Sequence, residues 1–308
     1  MENRVIIIAG PTCSGKTILS LKLAKMIGSE IISADSRQVF RHLSIGTAKP
    51  SSEELSKIKH HFIDCLNPDE VFNASIFEIE SLKIIDELSC NGKIPIVAGG
   101  SGLYIKALTD GIFNEPANNE KYSTELREIR ESSGNEFLYS ELKKVDPVSA
   151  SKMLPQNWKR VIRALEVFHV TGRPIWELHK EQKREIPYQF IKYAILWDRE
   201  LLYKNIEERV DKMIEEGLYN EVKSILEMGY GKEINSLNTV GYKEIISCLN
   251  GEISFDRAIE LIKRNTRRFA KRQMTWFNAD KEIKWIKVDL VNDLEEAAYS
   301  IEKELHNN

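Results

Sequence analysis

Residues 10–17 read GPTCSGKT and fit the pattern G-x-x-x-x-G-K-[ST]. Gly10 and Gly15 let backbone N–H groups wrap an anion, Lys16 adds a point charge, and Thr17 can ligate Mg2+. Pro11, Thr12, Cys13 and Ser14 complete the loop. The pattern predicts phosphate binding but not hydrolysis. A nucleoside triphosphatase also needs an apolar strand ending in an acid that orders the Mg2+ shell. IPIVAGG (94–100) ends in glycine, and both Asp64 in FIDCL and Asp35 in IISAD stay open as that acid.

A second constellation, ISADSRQVFRHLSIGTAKP (32–50), gathers Asp35, Ser36, Arg37, Gln38, Arg41, Thr47 and Lys49 after a strand. In open α/β sheets that is the side where ligands bind. Asp35 can act as a base, hold a metal or simply cap a helix; Arg37 and Gln38 can read a base edge or a phosphate. GGSGLY (99–104) is a second strand-to-helix turn. Its glycines permit close backbone approach, and Ser101 can cap the helix or touch a ligand.

Two stretches are strongly basic. LIKRNTRRFAKRQMTWF (261–277) carries Lys263, Arg264, Arg267, Arg268, Lys271 and Arg272 without an acid. Arg264, Arg267, Arg268 and Lys271 are spaced i, i+3, i+4, i+7 and share a helix face, with Ile262, Phe269, Met274 and Phe277 as an apolar opposite side. NWKRVIRALEV (157–167) places Lys159, Arg160 and Arg163 on one side of another helix. A charge run is ordinarily a solvated face, but ordinary surfaces mix signs, so phosphate contact is expected here. Trp158, Phe168, Trp176 and Trp276 can stack bases, although core packing is the first expectation for each. His60 and His61 read as structural.

The elements that must position these groups follow from hydrophobic pattern. VIIIAG (5–10) is a β-branched run closed by Gly-Pro, a buried parallel strand. Residues 16–27 have helical spacing with Gly28 as a stop. Further strands are expected at 30–35, 60–66, 93–100, 189–198 and 284–290, and helices at 74–88 and through most of 199–277. Strands alternating with helices predict a parallel α/β sheet with crossover connections. Residues from about 115 to 174 turn polar and helical. The expected architecture is a phosphate-loop core of residues 1–115 and 185–308, with a small helical insertion at 116–184.

Composition sets the outer bounds. The 308 residues are 42% hydrophobic and 30% charged, enough for a sizeable core and against a disordered chain. A net charge of −3 excludes a histone-like coat but not a local basic surface. Cys13, Cys65, Cys90 and Cys248 show no CxxC pair, so neither a zinc finger nor a disulfide framework is expected. The apolar run at the start is too short for a signal peptide, and no run reaches the length of a membrane span. A soluble cytoplasmic protein is expected.

GPTCSGKT, SADSRQVFR, GTAKP, VAGGSGLYIKAL, RVIRALEVFHVTGRP, VGYKE and TRRFAKRQMTWF occur in this order. With them the chain resembles the bacterial tRNA dimethylallyltransferase (IPP transferase) family, from Val5 to about Phe277. The resemblance implies transfer of a dimethylallyl group from dimethylallyl diphosphate to the adenine 3′-adjacent to the anticodon. It assigns the diphosphate and Mg2+ to the loop, with residues 10–17 as the cradle and Thr17 on the metal. It makes Asp35 the general base, with Lys16 and Thr12 beside it in the catalytic set. It assigns tRNA contacts to Asp35, Ser36, Arg37, Gln38 and Ser101, and anticodon stem-loop contacts to the insertion. The sequence departs from the family at Cys13, commonly Ala, and Ser101, commonly Thr. Asn205 replaces an arginine, leaving Arg209 as the candidate diphosphate arginine. A monomer is expected. Two other enzymes fit part of the chain, a phosphate-loop kinase binding ATP and a prenyltransferase of free adenine nucleotides. A non-catalytic RNA-binding protein would explain only the basic helices.

Overall fold

A computed structural model describes residues 3–111, 119–181 and 186–307. The chain divides into two compact units, Met1–Thr109 with Ile186–Asn308, and Asp110–Glu185. The boundaries expected at 115/116 and 184/185 lie outside the described residues.

The first unit opens with β1 (Arg4–Ala9), whose Val5 to Ala9 are all buried. β-Branched side chains buried on both faces are what an interior parallel strand requires. Then come α1 (Lys16–Ile27), β2 (Ile31–Ser33), α2 (Ser52–Lys57), β3 (His60–His61), α3 (Ala74–Cys90), β4 (Ile96–Gly99) and α4 (Gly102–Asp110).

The second unit holds α5 (Glu120–Val145), α6 (Pro147–Ala150), α7 (Trp158–Thr171) and α8 (Ile175–Glu181). Gly134, at φ 82 and ψ 172, breaks the helical path within α5. Leu126, Leu138, Leu142, Val161, Ile162 and Leu165 form this unit's own core. The Arg130 guanidinium lies 4.1 Å from the Trp158 ring centre. Gly172 ends α7 in the left-handed region, with its N–H on the Phe168 carbonyl, a common helix stop.

The chain then returns to the first unit through β5 (Gln189–Trp197), α9 (Arg199–Glu215), α10 (Leu218–Glu227), α11 (Tyr242–Leu249), α12 (Phe255–Asn278), β6 (Lys284–Val288) and α13 (Asp293–Asn307). The six strands form one sheet in the order β3-β2-β4-β1-β5-β6, with every pairing parallel. The parallel α/β expectation holds. One core packs Leu19, Leu23, Leu202, Ile206 and Ile301 against Ile6, Ile8 and Ile195. Another joins the segment after β2 to the later helices through Val39, Leu43, Val210, Leu218, Tyr242 and Ile262. No described helix is long and apolar enough to cross a membrane.

Five strands are shorter than expected, β5 by its last residue and β6 by its last two. The strand expected at 60–66 joins the sheet only at His60 and His61, because Phe62 (φ 64) and Asp64 (φ 52) turn into the left-handed region, and Leu66 forms an isolated parallel bridge with Phe40. β2 stops at Ser33, where the chain leaves the ladder to place Asp35. β4 starts at Ile96 rather than 93.

Candidate active site

In a parallel sheet every strand ends on the same edge, so the loops after them converge. Ala9 pairs with Gly99 on one side and Ala194 on the other, and Ser33 pairs with Ala98. That register gathers the phosphate loop after β1, the Asp35 turn after β2 and the glycine turn after β4. Gly99 packs so closely that a Cβ there would stand 2.1 Å from the Ala34 carbonyl oxygen. Ser101 N–H donates to that carbonyl (3.1 Å), and Ser101 Oγ accepts from Ser36 N–H (3.1 Å).

The phosphate loop is braced from three directions. Trp197 Nε1, at the end of β5, donates to the Ser14 carbonyl (2.9 Å). Thr12 N–H donates to Gln273 Oε1 (2.8 Å), and Gln273 Nε2 donates to the Gly100 carbonyl (3.0 Å). Arg209 Nη1 approaches Thr12 Oγ1 at 3.4 Å and Cys13 Sγ at 3.7 Å. Lys16 Nζ folds back onto the Pro11 carbonyl (2.6 Å). Burial, and then the Arg209 charge, lower the Lys16 pKa to about 8. Ser14 Oγ is buried and has no hydrogen-bond partner among the described residues, and a buried polar atom left unpaired is costly.

Asp35 faces the same cavity. Its Oδ1 accepts from Arg37 N–H (2.8 Å) and, longer, from Gln38 N–H (3.4 Å). This local turn fixes the carboxylate while its Oδ2 takes up no hydrogen bond with the described residues. Arg37 donates through Nη1 to the Asn235 carbonyl (2.7 Å). Gln38 Oε1 accepts from Ser33 Oγ (3.1 Å), and Nε2 donates to the Thr47 (3.2 Å) and Ala48 (3.1 Å) carbonyls. Asp64, the alternative acid, is instead paired with Lys49.

The cavity has a volume of about 480 Å³. Thr12 to Thr17, Asp35 to Gln38, Ser101 and Arg209 line it, joined by Arg272 and Gln273. Val210, Met213, Val240, Ile262 and Phe269 supply an apolar part of the wall. Gly10 and Pro11, also expected in the cradle, are not among the residues that line the cavity. Among the described residues no group of three or more His, Cys, Asp or Glu side chains is placed to hold a metal. The donors present, the Thr17 hydroxyl and the nearby Asp35, suit an ion that takes few protein ligands and completes its shell with water and substrate phosphate, as Mg2+ does.

The basic stripe of α12 is divided. Arg267 is paired with Glu207 (2.7 Å) and Lys263 with Asp211 (2.6 Å). Arg264, Arg268 and Lys271 are exposed. The apolar side of α12 is Ile262, Ala270 and Phe277 with Gln273 among them. Phe269, expected on that side, is 40% exposed and carries the Arg272 guanidinium 5.6 Å from its ring centre. In the second unit Lys159 and Arg160 are exposed, while Arg163 is paired with Glu166 (3.1 Å), which also accepts from Ser123 Oγ.

Sequence reasoning missed Gln273 and Trp197, and it named Arg272 only as part of the basic stretch, not as a residue of the cavity wall. A signal existed for Gln273. It lies four residues from Phe277 on the buried side of an amphipathic helix, where a polar side chain needs a reason.

Comparison with known proteins gives concordant findings. Residues 38–280 match the model of the IPP transferase family. Over 292 residues, 94% of this chain and 93% of the relative, the sequence is 47% identical to a tRNA dimethylallyltransferase of Acetivibrio thermocellus. The full-length tRNA isopentenylpyrophosphate transferase of Bacillus halodurans is similar with TM-score 0.73 and 36% identity, over 99% of this chain and 97% of that one. A eukaryotic dimethylallyltransferase captured acting on tRNA reaches TM-score 0.82 at 29% identity, over 99% of this chain and 80% of its own.

Proposed function

The chain belongs to the IPP transferase family, and on that premise we propose that it is a tRNA dimethylallyltransferase. It moves a dimethylallyl group from dimethylallyl diphosphate to the exocyclic amine of the adenine 3′-adjacent to the anticodon, releasing diphosphate. The observation that carries this reading is the opening of a phosphate cradle and one carboxylate, Asp35, onto a single cavity. A non-catalytic RNA binder needs neither, and a kinase, which also uses a cradle and an acid, leaves the basic faces of α12 and α7 unused.

The cradle takes the diphosphate. Backbone N–H groups of residues 13–17, Lys16 and Arg209 hold the charge that grows on it as the allylic C–O bond breaks. The Val210, Met213 and Ile262 part of the wall takes the five-carbon chain. An aromatic amine is a weak nucleophile because its lone pair is delocalised. Asp35 Oδ2 takes the amine proton, worth about 10²–10⁴-fold, while Oδ1 stays on the Arg37 and Gln38 N–H groups. The adenine must leave its stack to reach the cavity, at about a few kcal/mol. Thr17 would hold Mg2+, which when bound neutralises the leaving diphosphate.

Exposed Arg264, Arg268 and Lys271, with Lys159 and Arg160 of the helical unit, would meet the tRNA backbone. One chain supplies both cradle and base, which supports a monomer as the working form, acting in the cytoplasm.

The test is an incubation of protein, Mg2+ and unmodified tRNA, with dimethylallyl diphosphate in one tube and ATP in another. Mass spectrometry of the nucleosides should find adenosine heavier by one prenyl group in the first tube only. ATP cleavage without a prenylated nucleoside would overturn the reading in favour of a kinase.

A further inference from the structure

We propose that Glu221, on α10 and outside the cavity lining, is a positioning residue for the transfer reaction. It acts through the loop 44–48 and Gln38 on the turn that carries Asp35. The proposal rests on the reading of Asp35 given above.

The Glu221 carboxylate is a hub of donors. Oε2 accepts from Ser44 N–H (3.0 Å) and Ile45 N–H (2.7 Å). Oε1 accepts from Gly46 N–H (3.2 Å) and Tyr242 Oη (2.6 Å). Three consecutive backbone N–H groups on one carboxylate fix a loop's direction. Tyr242 is fully buried and leaves no freedom on the other side, since a Cβ at Gly46 would stand 2.4 Å from its ring. Burial and the Glu221 charge also keep the Tyr242 phenol protonated, and so a donor, well beyond its ordinary range.

The clamp reaches the cavity in two steps. Thr47 and Ala48 follow directly, and their carbonyls receive both N–H bonds of the Gln38 amide, whose oxygen is held by Ser33. Gln38 is therefore an internal strut with its amide donors engaged. Its backbone N–H, with that of Arg37, faces Asp35 Oδ1. Ala48 sits in the left-handed region (φ 45), a conformation that persists only where surrounding contacts impose it. Gly46, Thr47, Ala48, Gln38 and Asp35 all line the same cavity. The phosphate loop makes none of these contacts and is braced separately by Trp197 and Gln273.

This separation sets the expected signature. In Glu221→Ala, turnover per folded molecule should fall by about 10²-fold, the scale of a small misplacement at a reacting group. KM for dimethylallyl diphosphate should stay within about twofold, because the cradle is untouched. Glu221→Gln should recover part of the loss. Its oxygen can keep the Ser44 and Ile45 bonds and its amide can donate to the Tyr242 oxygen, leaving the Gly46 N–H and the Tyr242 hydroxyl proton without the acceptor they had. Hydrogen exchange at Arg37, Gln38 and residues 44–48 should quicken in both variants, more in Ala than in Gln. Circular dichroism fixes the folded fraction, and if the Ala variant fails to fold, the same three readings on the Gln variant decide. Unchanged turnover per folded molecule overturns the proposal, as does a rise in donor KM as large as the fall in turnover. If the unaltered protein prenylates no tRNA, the functional reading fails. Exchange at Arg37 and Gln38 then still decides whether Glu221 holds the Asp35 turn.

Discussion

At the scale of single residues, the site is a contest over charge. Lys16 shares its enclosure with Arg209, and burial together with that second cation lowers its pKa to about 8. Bound diphosphate favours the protonated form. Above the free lysine's pKa, binding must therefore take up a proton, and affinity falls by up to about tenfold per pH unit. Calorimetric titration should show diphosphate affinity level below about pH 8 and declining above it. Arg209→Ala should bind more weakly overall and shift that decline to higher pH, since a cause of the lowered pKa has gone. For Asp35 the expectation is separable. Asp35→Asn keeps the turn's acceptor oxygen but cannot take a proton, so tRNA and donor affinities persist while single-turnover rate drops about 10²–10⁴-fold. The loop and Asp35 were legible in the sequence because their neighbours along the chain are also their neighbours in space. Gln273 was not, because its partners Thr12 and Gly100 lie far away in sequence, and a basic helix hides a buried amide among its charges.

At the scale of elements, turns and one long helix decide the geometry. The glycine turn after β4 offers a paired test. A methyl at Gly99 meets backbone, the Ala34 carbonyl at 2.1 Å, whereas at Gly100 it meets the Gln273 side-chain amide at 2.2 Å. Backbone cannot yield, so Gly99→Ala should lower the melting temperature, with an overpacking penalty of about 1–3 kcal/mol. Gly100→Ala should melt nearer to the parent yet lose donor affinity, because Gln273 must release Thr12 to make room. Along α12, the triple change of Arg264, Arg268 and Lys271 to Ala should flatten the salt dependence of tRNA binding by about 0.7–0.9 per lost phosphate contact. Arg267→Ala, whose guanidinium already has Glu207, should leave that slope unchanged and affect stability by less than about 1 kcal/mol. The helix's amphipathic spacing was legible along the chain but this division was not, since Glu207 and Asp211 reach it from α9. Strand ends were equally unreadable where a left-handed non-glycine residue such as Phe62 or Asp64 stops the ladder.

At the scale of the whole molecule, two units with separate cores divide the labour in the proposed reaction. Leu142 is fully buried within the helical unit's core. Leu142→Ala should cost about 2–5 kcal/mol there. Filter-binding and calorimetry together should then show weakened tRNA binding with unaltered diphosphate binding. A loss of diphosphate affinity would mean that the two units are not independent in this sense. The sheet topology has a consequence for how the chain is made. β1 lies between β4 and β5, so its second edge is completed only when the strand at Gln189–Trp197 leaves the ribosome. At about 5–20 residues per second, that interval is on the order of ten to forty seconds. For that time an isoleucine-rich strand edge stands open, the kind of surface that recruits other chains. The helical unit, by contrast, is synthesised whole within the interval and has its own core to close. Nascent protein should therefore pass through a state with a finished insertion and an unfinished sheet, a natural client for a chaperone.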